Sequence, residues 1–218
     1  EPASTGTRTD IPGGDIGVDA VSVTYPNGDV VALAPVSLTA QRGKVTAVVG
    51  PSGVGKSTLL AVLQGFVAPT SGAVYVGDAD LAELDPSVWR TQLAVVAQDP
   101  VLVGPTVADD VRLRRPGASD DEVEAALRAA GIDPSTLPDG AATRVGDLAS
   151  DVSAGQRRRV ALARVLLAPA PLVLLDEPTA GLDDDAEADV VAAIRRLADA
   201  GSAVIVVAHR PSLVAGAD

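Results

Sequence analysis

Eight consecutive residues, Gly50-Pro51-Ser52-Gly53-Val54-Gly55-Lys56-Ser57, carry glycines, a lysine and a closing hydroxyl at the spacing of a phosphate-binding loop. Glycine permits backbone shapes and close approaches that a Cβ would block. Successive N–H groups can then turn toward one anion, helped by the N-terminus of a following helix. In such a loop Lys56 reaches the outer phosphates of a nucleotide, and Ser57 offers its hydroxyl to Mg²⁺. Both flanks suit that reading: Val45–Val49 is a short apolar run, and Lys56–Leu63 is an apolar helical stretch.

Two further groups stand at the ends of apolar runs. Leu172-Val173-Leu174-Leu175 leads directly into Asp176-Glu177. A carboxylate at the C-terminal end of a buried parallel strand lies where α/β sheets bind ligands. There Asp176 can hold Mg²⁺ through water, and Glu177 can orient or polarise an attacking water. His209 follows Val204-Ile205-Val206-Val207 and so reaches the same sheet edge, within range of a γ-phosphate or the attacking water. No second histidine and no cysteine exist to share a metal with it.

These groups need a scaffold that brings distant strand ends together. Ile16–Tyr25 alternates as a half-buried strand, Asn27-Gly28-Asp29 signals a hairpin turn, and Val30–Leu33 and Val36–Ala40 read as two further strands. Strands are also expected at Val45–Val49, Ala73–Val76, Leu93–Ala97, Leu172–Leu175 and Ala203–Val207. Helices are expected at Lys56–Leu63, Asp120–Ala130 with its acidic first turn and Gly131 stop, Ala154–Leu167 and Asp184–Ala200. The pattern predicts an α/β fold: a mainly parallel sheet flanked by helices, with an N-terminal antiparallel β subdomain and a helical subdomain inserted at about 105–168. Residues 1–14, rich in Ser, Thr, Gly, Pro and Asp, read as a flexible linker, and 15–218 as the domain proper.

Composition bounds the partners. A hydrophobic content of 47% over 218 residues supports a real core, built mostly from Ala, Val and Leu because aromatics are only 2%. The absence of cysteine removes disulfides and thiolate metal sites. The most apolar stretch, Val160–Leu175, is interrupted by Arg164, Pro169 and Pro171, so no run approaches the roughly 18 residues of a membrane helix. The net charge of −12 argues against a general nucleic-acid binder, though one nucleotide needs only a local cradle.

With these motifs in order, the chain from about Ile16 onward resembles the nucleotide-binding domains of ABC transporters, built on a P-loop NTPase core. Gly50–Thr58 is similar to that family's Walker A loop, which implies ATP contacts from each of its residues through Thr58. Leu172–Glu177 resembles Walker B, with Glu177 in the catalytic glutamate position. Gln98 resembles the glutamine that touches Mg²⁺ or water, and His209 the switch histidine. Tyr25 looks like the aromatic that stacks on adenine. Ser153-Ala154-Gly155-Gln156 resembles the signature motif and Ala180-Gly181-Leu182-Asp183 the D-loop. The signature departs from Leu-Ser-Gly-Gly-Gln at Val152 and Ala154; the latter adds a Cβ where close backbone approach is wanted. Read alone, the same segment is a helix N-terminus with Ser153 as N-cap, which is itself an anion-holding position.

The resemblance implies Mg²⁺ and ATP as ligands, with Ser57, Gln98 and Asp176 on the metal. It implies catalysis by Glu177, His209 and Lys56. It also implies a head-to-tail second nucleotide-binding domain, a transmembrane domain of the same transporter coupled through the Gln98 region, and a place on the cytoplasmic face of a membrane. Low activity and weak dimerisation are expected of the domain alone. Tyr25, Thr143-Arg144-Val145-Gly146 and the leader are similar to exporter-type half-transporters, although the family's acidic residue in that second segment is Arg144 here. Val152–Arg159 with His209-Arg210-Pro211 resembles the cysteine/glutathione exporter subunits of the cytochrome bd assembly system (CydDC), which pair as heterodimers. The sequence ends sooner after His209 than domains of the family usually do, which points to a part of a longer chain. Two other readings stay open: a non-transport ABC ATPase acting on DNA or ribosomes, and a regulatory module that binds without hydrolysing. The charge, the single cassette and the absence of a coiled-coil insertion between Lys56 and Asp176 weigh against the first. Glu177 and His209 weigh against the second.

Overall fold

A computed structural model describes residues 6–25, 30–145 and 152–218. Strands β1 (Ile16–Thr24), β2 (Val31–Ala40), β4 (Ser71–Val76) and β5 (Ala79–Asp80) form an antiparallel sheet in the order β2-β1-β4-β5. The two strands expected within 30–40 are one. Pairing continues across Pro35 through three shifts of register: the first adds a residue on β1 between Val18 and Val21, where Ala20 takes φ 45°, and the next two add residues on β2, one of them between Val36 and Leu33 around Pro35 itself. β2 is also an outer strand of its sheet, where a residue without an N–H leaves no ladder partner unpaired. The hairpin expected at Asn27-Gly28-Asp29 lies outside the described residues, as do Gly146 and residues 1–5. Within the leader, Arg8 bridges Leu84 and exchanges backbone hydrogen bonds of 3.0 and 2.8 Å with Glu83 and Asp85.

The second sheet is parallel throughout: β3 (Val45–Val48), β8 (Ala203–Val207), β7 (Leu172–Asp176) and β6 (Leu93–Val96), in that spatial order. Alternate residues serve two cores. Leu172, Leu174, Ile205 and Val207 pack with the antiparallel sheet and with helix α1 (Lys56–Leu63). Val173, Leu175, Val204 and Val206 pack with helices α5 (Ala154–Leu167) and α6 (Asp184–Asp199). A sheet covered on both faces demands apolar residues at every position, which is why these strands read as unbroken hydrophobic runs.

Helices α3 (Val107–Arg112) and α4 (Asp120–Ala129) join α5 in the helical region. α4 begins on a capping box, Ser119 with Glu122, and stops where Gly131 takes φ 76°. Besides α3, two short helices lie outside those expected from periodicity: α2 (Pro86–Thr91) and α7 (Pro211–Ala215). Both open on proline; before α2 the Asp85 carboxylate also accepts from the N–H groups of Ser87 and Val88 at 2.8 and 3.3 Å, so Asp-Pro is the signal there, whereas α7 follows Arg210 without a side-chain cap. α2 carries the buried Trp89, whose indole N–H donates to the Leu63 carbonyl at the end of α1 (2.8 Å). Among the described residues no helix is long and apolar enough to cross a membrane. Leu174 is fully buried between the two sheets. Leu174→Ala should therefore cost about 2–5 kcal/mol in urea unfolding, with cavity and lost transfer energy adding.

Candidate functional site

Parallel register decides which side chains meet. Val48 of β3 pairs with Val207 of β8, Asp176 of β7 pairs with the same Val207, and Leu175 pairs with Val96 of β6. The segments that follow these residues leave the sheet at one edge: the glycine loop after β3, Gln98 after β6, Glu177 after β7 and His209 after β8.

The glycine loop is shaped as its composition requires. Gly53 and Gly55 take φ of 80° and 103°. A Cβ on Gly55 would stand 2.4 Å from the Ala32 carbonyl oxygen of β2, so only glycine fits there. α1 begins at Lys56 without a side-chain cap, leaving its first N–H groups available to a ligand. The Lys56 side chain is 9% exposed, and its Nζ donates to the Gly50 and Pro51 carbonyls at 2.7 and 2.9 Å. It bridges its own loop and pins the cradle. Pro51, Ser52, Gly53, Val54 and Ser57 are exposed, Thr58 half-buried. Tyr25 is also exposed; it follows Thr24, whose partner Val31 is next to the Ala32–Leu33 segment that Gly55 touches.

Glu177 joins two of the predicted residues. Its Oε1 is 2.9 Å from Nε2 of His209, and its Oε2 accepts from Nε2 of Gln98 at 3.3 Å. Its φ of 49° is a left-handed value for a residue that is not glycine. Such a conformation costs on the order of 1–3 kcal/mol and persists only where the surroundings enforce it. Here the Glu177 N–H donates to the Val207 carbonyl (3.1 Å), and the Ala180 N–H donates to the Glu177 carbonyl (3.1 Å). Asp176, half-buried beside it, has its carboxyl pushed up from the usual range, first by burial and then by the Glu177 charge, with Lys56 and His209 pulling the other way.

Ser57, Asp176 and the Gln98 amide oxygen are hard oxygen donors of the kind Mg²⁺ takes. Among the described residues no hydrogen-bonded partner of Asp176 would compete, and a cation would relieve the charge crowding that raises its carboxyl. The residues present fit the ion.

The predicted signature residues stand at the start of α5. Ser153 caps α5: its Oγ accepts from the Gln156 N–H (3.2 Å), and its own N–H donates to Oε1 of Gln156 (2.8 Å). The hydrogen bonds of Ser153 and Gln156 thus stay within the helix start rather than reaching the glycine loop. Gly155 packs on Leu182, where a Cβ would come within 3.2 Å of Cδ2. Two arginines that hydrophobic periodicity does not single out hold the loop between β7 and α6. Arg158 donates to the Ala180 carbonyl (2.6 Å), and Arg210 donates to the Leu182 carbonyl (2.8 Å) while pairing with the buried Glu187, which Ser212 also contacts. A cavity of about 580 Å³ between α6 and α7, lined by Val45, Glu187, Val191 and Leu213 among others, includes none of the glycine-loop residues. Most residues of the phosphate cradle are exposed to solvent.

Comparison with known proteins agrees with this arrangement. Residues 33–180 match the family model described as ABC transporter. The chain is 42% identical over 213 residues to the mycobactin import ATP-binding/permease protein IrtB of Mycolicibacterium thermoresistibile, covering 97% of this chain and 37% of that protein. It is 39% identical to the ATP-dependent lipid A-core flippase of Ralstonia nicotianae, covering 100% of this chain and 38% of that protein. A solved bacterial Atm1-family ABC exporter with ATP bound superposes with a TM-score of 0.84 at 34% identity, over 100% of this chain and 38% of that one. The chain therefore spans less than two fifths of the length of these relatives. An antiparallel β subdomain beside a parallel sheet, the glycine loop at that sheet's edge and these matches lead to one conclusion: the chain belongs to the ABC transporter family, as an ATP-binding ATPase domain.

Proposed function

We propose that this chain hydrolyses ATP in a site completed by a second ATPase domain, and that it passes the resulting motion to a membrane-embedded domain. The reading is supported by the way the predicted residues bond in two groups, Gln98 and His209 on Glu177 and Ser153 with Gln156. The glycine loop, Gln98, Glu177 and His209 follow strands that end at one sheet edge, while Ser153 caps the exposed start of α5. An exposed cradle with a hydrogen-bonded carboxylate beside it suits a nucleotide whose far side is covered by another domain's helix N-terminus.

In this mechanism the Gly50–Thr58 backbone and Lys56 hold the phosphates, and Tyr25 stacks on the base. Glu177, aligned by His209 and Gln98, takes up the proton of the attacking water as hydrolysis proceeds. His209 can then carry hydrogen bonding from Glu177 to the γ-phosphate. Mg²⁺, held by Ser57, Asp176 and Gln98, would neutralise charge on the outer phosphates. Ser153, Gly155 and Gln156 face the nucleotide of the second domain, and closure of the pair orders both sites. The partner is a second domain of the same kind, in a heterodimer, and the pair acts at the cytoplasmic face of a membrane.

Relatives of this chain bear names of an importer, a flippase and an exporter. The thiol-export reading rests only on Val152–Arg159 and His209–Pro211, and export itself on the exporter-like segments of the sequence. What favours transport over action on DNA or ribosomes is the permease named in the IrtB relative, together with the net charge of −12.

Two substitutions test the site. In the full-length parent with its partner, Glu177→Gln should lower phosphate release about 10²-fold or more while ATP holds the domains associated, seen by size-exclusion chromatography. Unchanged turnover would remove Glu177 from the role. Asp176 has a folded pKa above its unfolded value, so its ionised form costs stability above the folded pKa, and the penalty disappears at acid pH where both states are protonated. Asp176→Asn should thus raise the melting temperature of the nucleotide-free protein at neutral pH by about a degree or two, solvent screening keeping the gain small, and should have no effect near pH 3. The same variant should lose Mg²⁺-dependent nucleotide binding.

A further inference from the structure

We infer that Arg158 is a positioning residue that ties the start of α5 to the Glu177 carboxylate. The inference deepens the proposed ATPase reading and rests on it. Arg158 lies one and a half turns beyond Ser153 and is largely buried. Its three nitrogens go to three acceptors: Nε to the Gln98 carbonyl (2.5 Å), Nη1 to the Ala180 carbonyl (2.6 Å) and Nη2 to Oδ1 of Asp99 (3.1 Å). Two of the three are main-chain groups on loops that follow different strands, β6 and β7.

Those contacts close a ring. From Arg158 the path runs to the Gln98 backbone, through the Gln98 side chain to Oε2 of Glu177, and along that residue to its carbonyl. It then passes to the Ala180 N–H and returns through the Ala180 carbonyl to Arg158. The ring thus grips Glu177 at both its carboxylate and its main chain. Arg158 is its only member on a helix of the helical region; every other member belongs to the sheet edge. The planar guanidinium fixes the angles between its donors, so a shift of α5 is passed to both loops together. Strain at Glu177 needs such enforcement, and a left-handed carboxylate freed from the ring would relax away from its proton acceptor position. When a second domain's nucleotide engages the α5 N-terminus, Arg158 carries the displacement to the chain's own Glu177.

The test is the full-length protein with its partner, measured for ATP turnover, KM for ATP and melting temperature, in wild type, Arg158→Ala, Arg158→Lys and Glu177→Gln. A positioning role predicts that Arg158→Ala lowers kcat about tenfold or more, since misplacement of roughly an ångström at a reacting group is costly, while KM for ATP stays within about twofold because Arg158 touches no nucleotide-binding residue other than Gln98. Arg158→Lys keeps the charge and stem but loses the fork, and it should recover only part of kcat; it decides the matter if the alanine variant does not fold. A kcat within about twofold of wild type in both variants overturns the inference, as does a fall in kcat that tracks a matching rise in KM and loss of melting temperature. If Glu177→Gln retains wild-type turnover, the ATPase reading itself has failed and the role of Arg158 fails with it. Loss in Glu177→Gln with none in either Arg158 variant sinks the Arg158 inference alone.

Discussion

Parallel pairing of β3, β8, β7 and β6 is the constraint on which the site depends, because it delivers four strand ends to a single edge. Residues separated by more than a hundred positions, such as Gln98 and His209, then meet on one carboxylate. The register is held by burial. A slip of one residue in β7 would exchange Leu174 with Val173 and expose each to the wrong core, so the hydrophobic effect that stabilises the sheet also aligns the chemistry at its end.

The local cost of that alignment is concentrated at Glu177, where a non-glycine residue adopts a left-handed backbone. Glycine there would remove the strain and also the carboxylate. The fold instead surrounds the residue with fixed acceptors and donors: the Val207 carbonyl behind it, the turn to Ala180 after it, Gln98 and His209 on its two oxygens. The arginines from α5 and from the segment after β8 grip the following loop at Ala180 and Leu182. A strained carboxylate inside a network of this kind is preorganised rather than mobile.

The glycine loop, the buried strands and the capped helices were legible because each obeys a local rule. Spacing revealed the loop, unbroken apolar runs the doubly covered strands, and an acidic first turn with a glycine stop the bounds of α4. The merging of the two segments of β2 was not legible, since the pairing passes Pro35 through shifts of register that depend on the partner strand β1 as well as on β2 itself. The three arginines that follow Gln156 illustrate a second limit. Successive helical residues point about 100° apart, and Arg157 turns back to the Val152 carbonyl, Arg158 to Gln98 and Ala180, and Arg159 to the Gly131 carbonyl. Identical in sequence, they differ wholly in target, and only the packing of α5 separates them.

Trp89 has a practical bearing on the site. It is the one tryptophan of the chain, is shielded from solvent, and is hydrogen-bonded to the carbonyl that ends the helix rising from the glycine loop. Its emission therefore arises from one position at the far end of α1. The chain carries a built-in optical gauge of whether that helix keeps its seat.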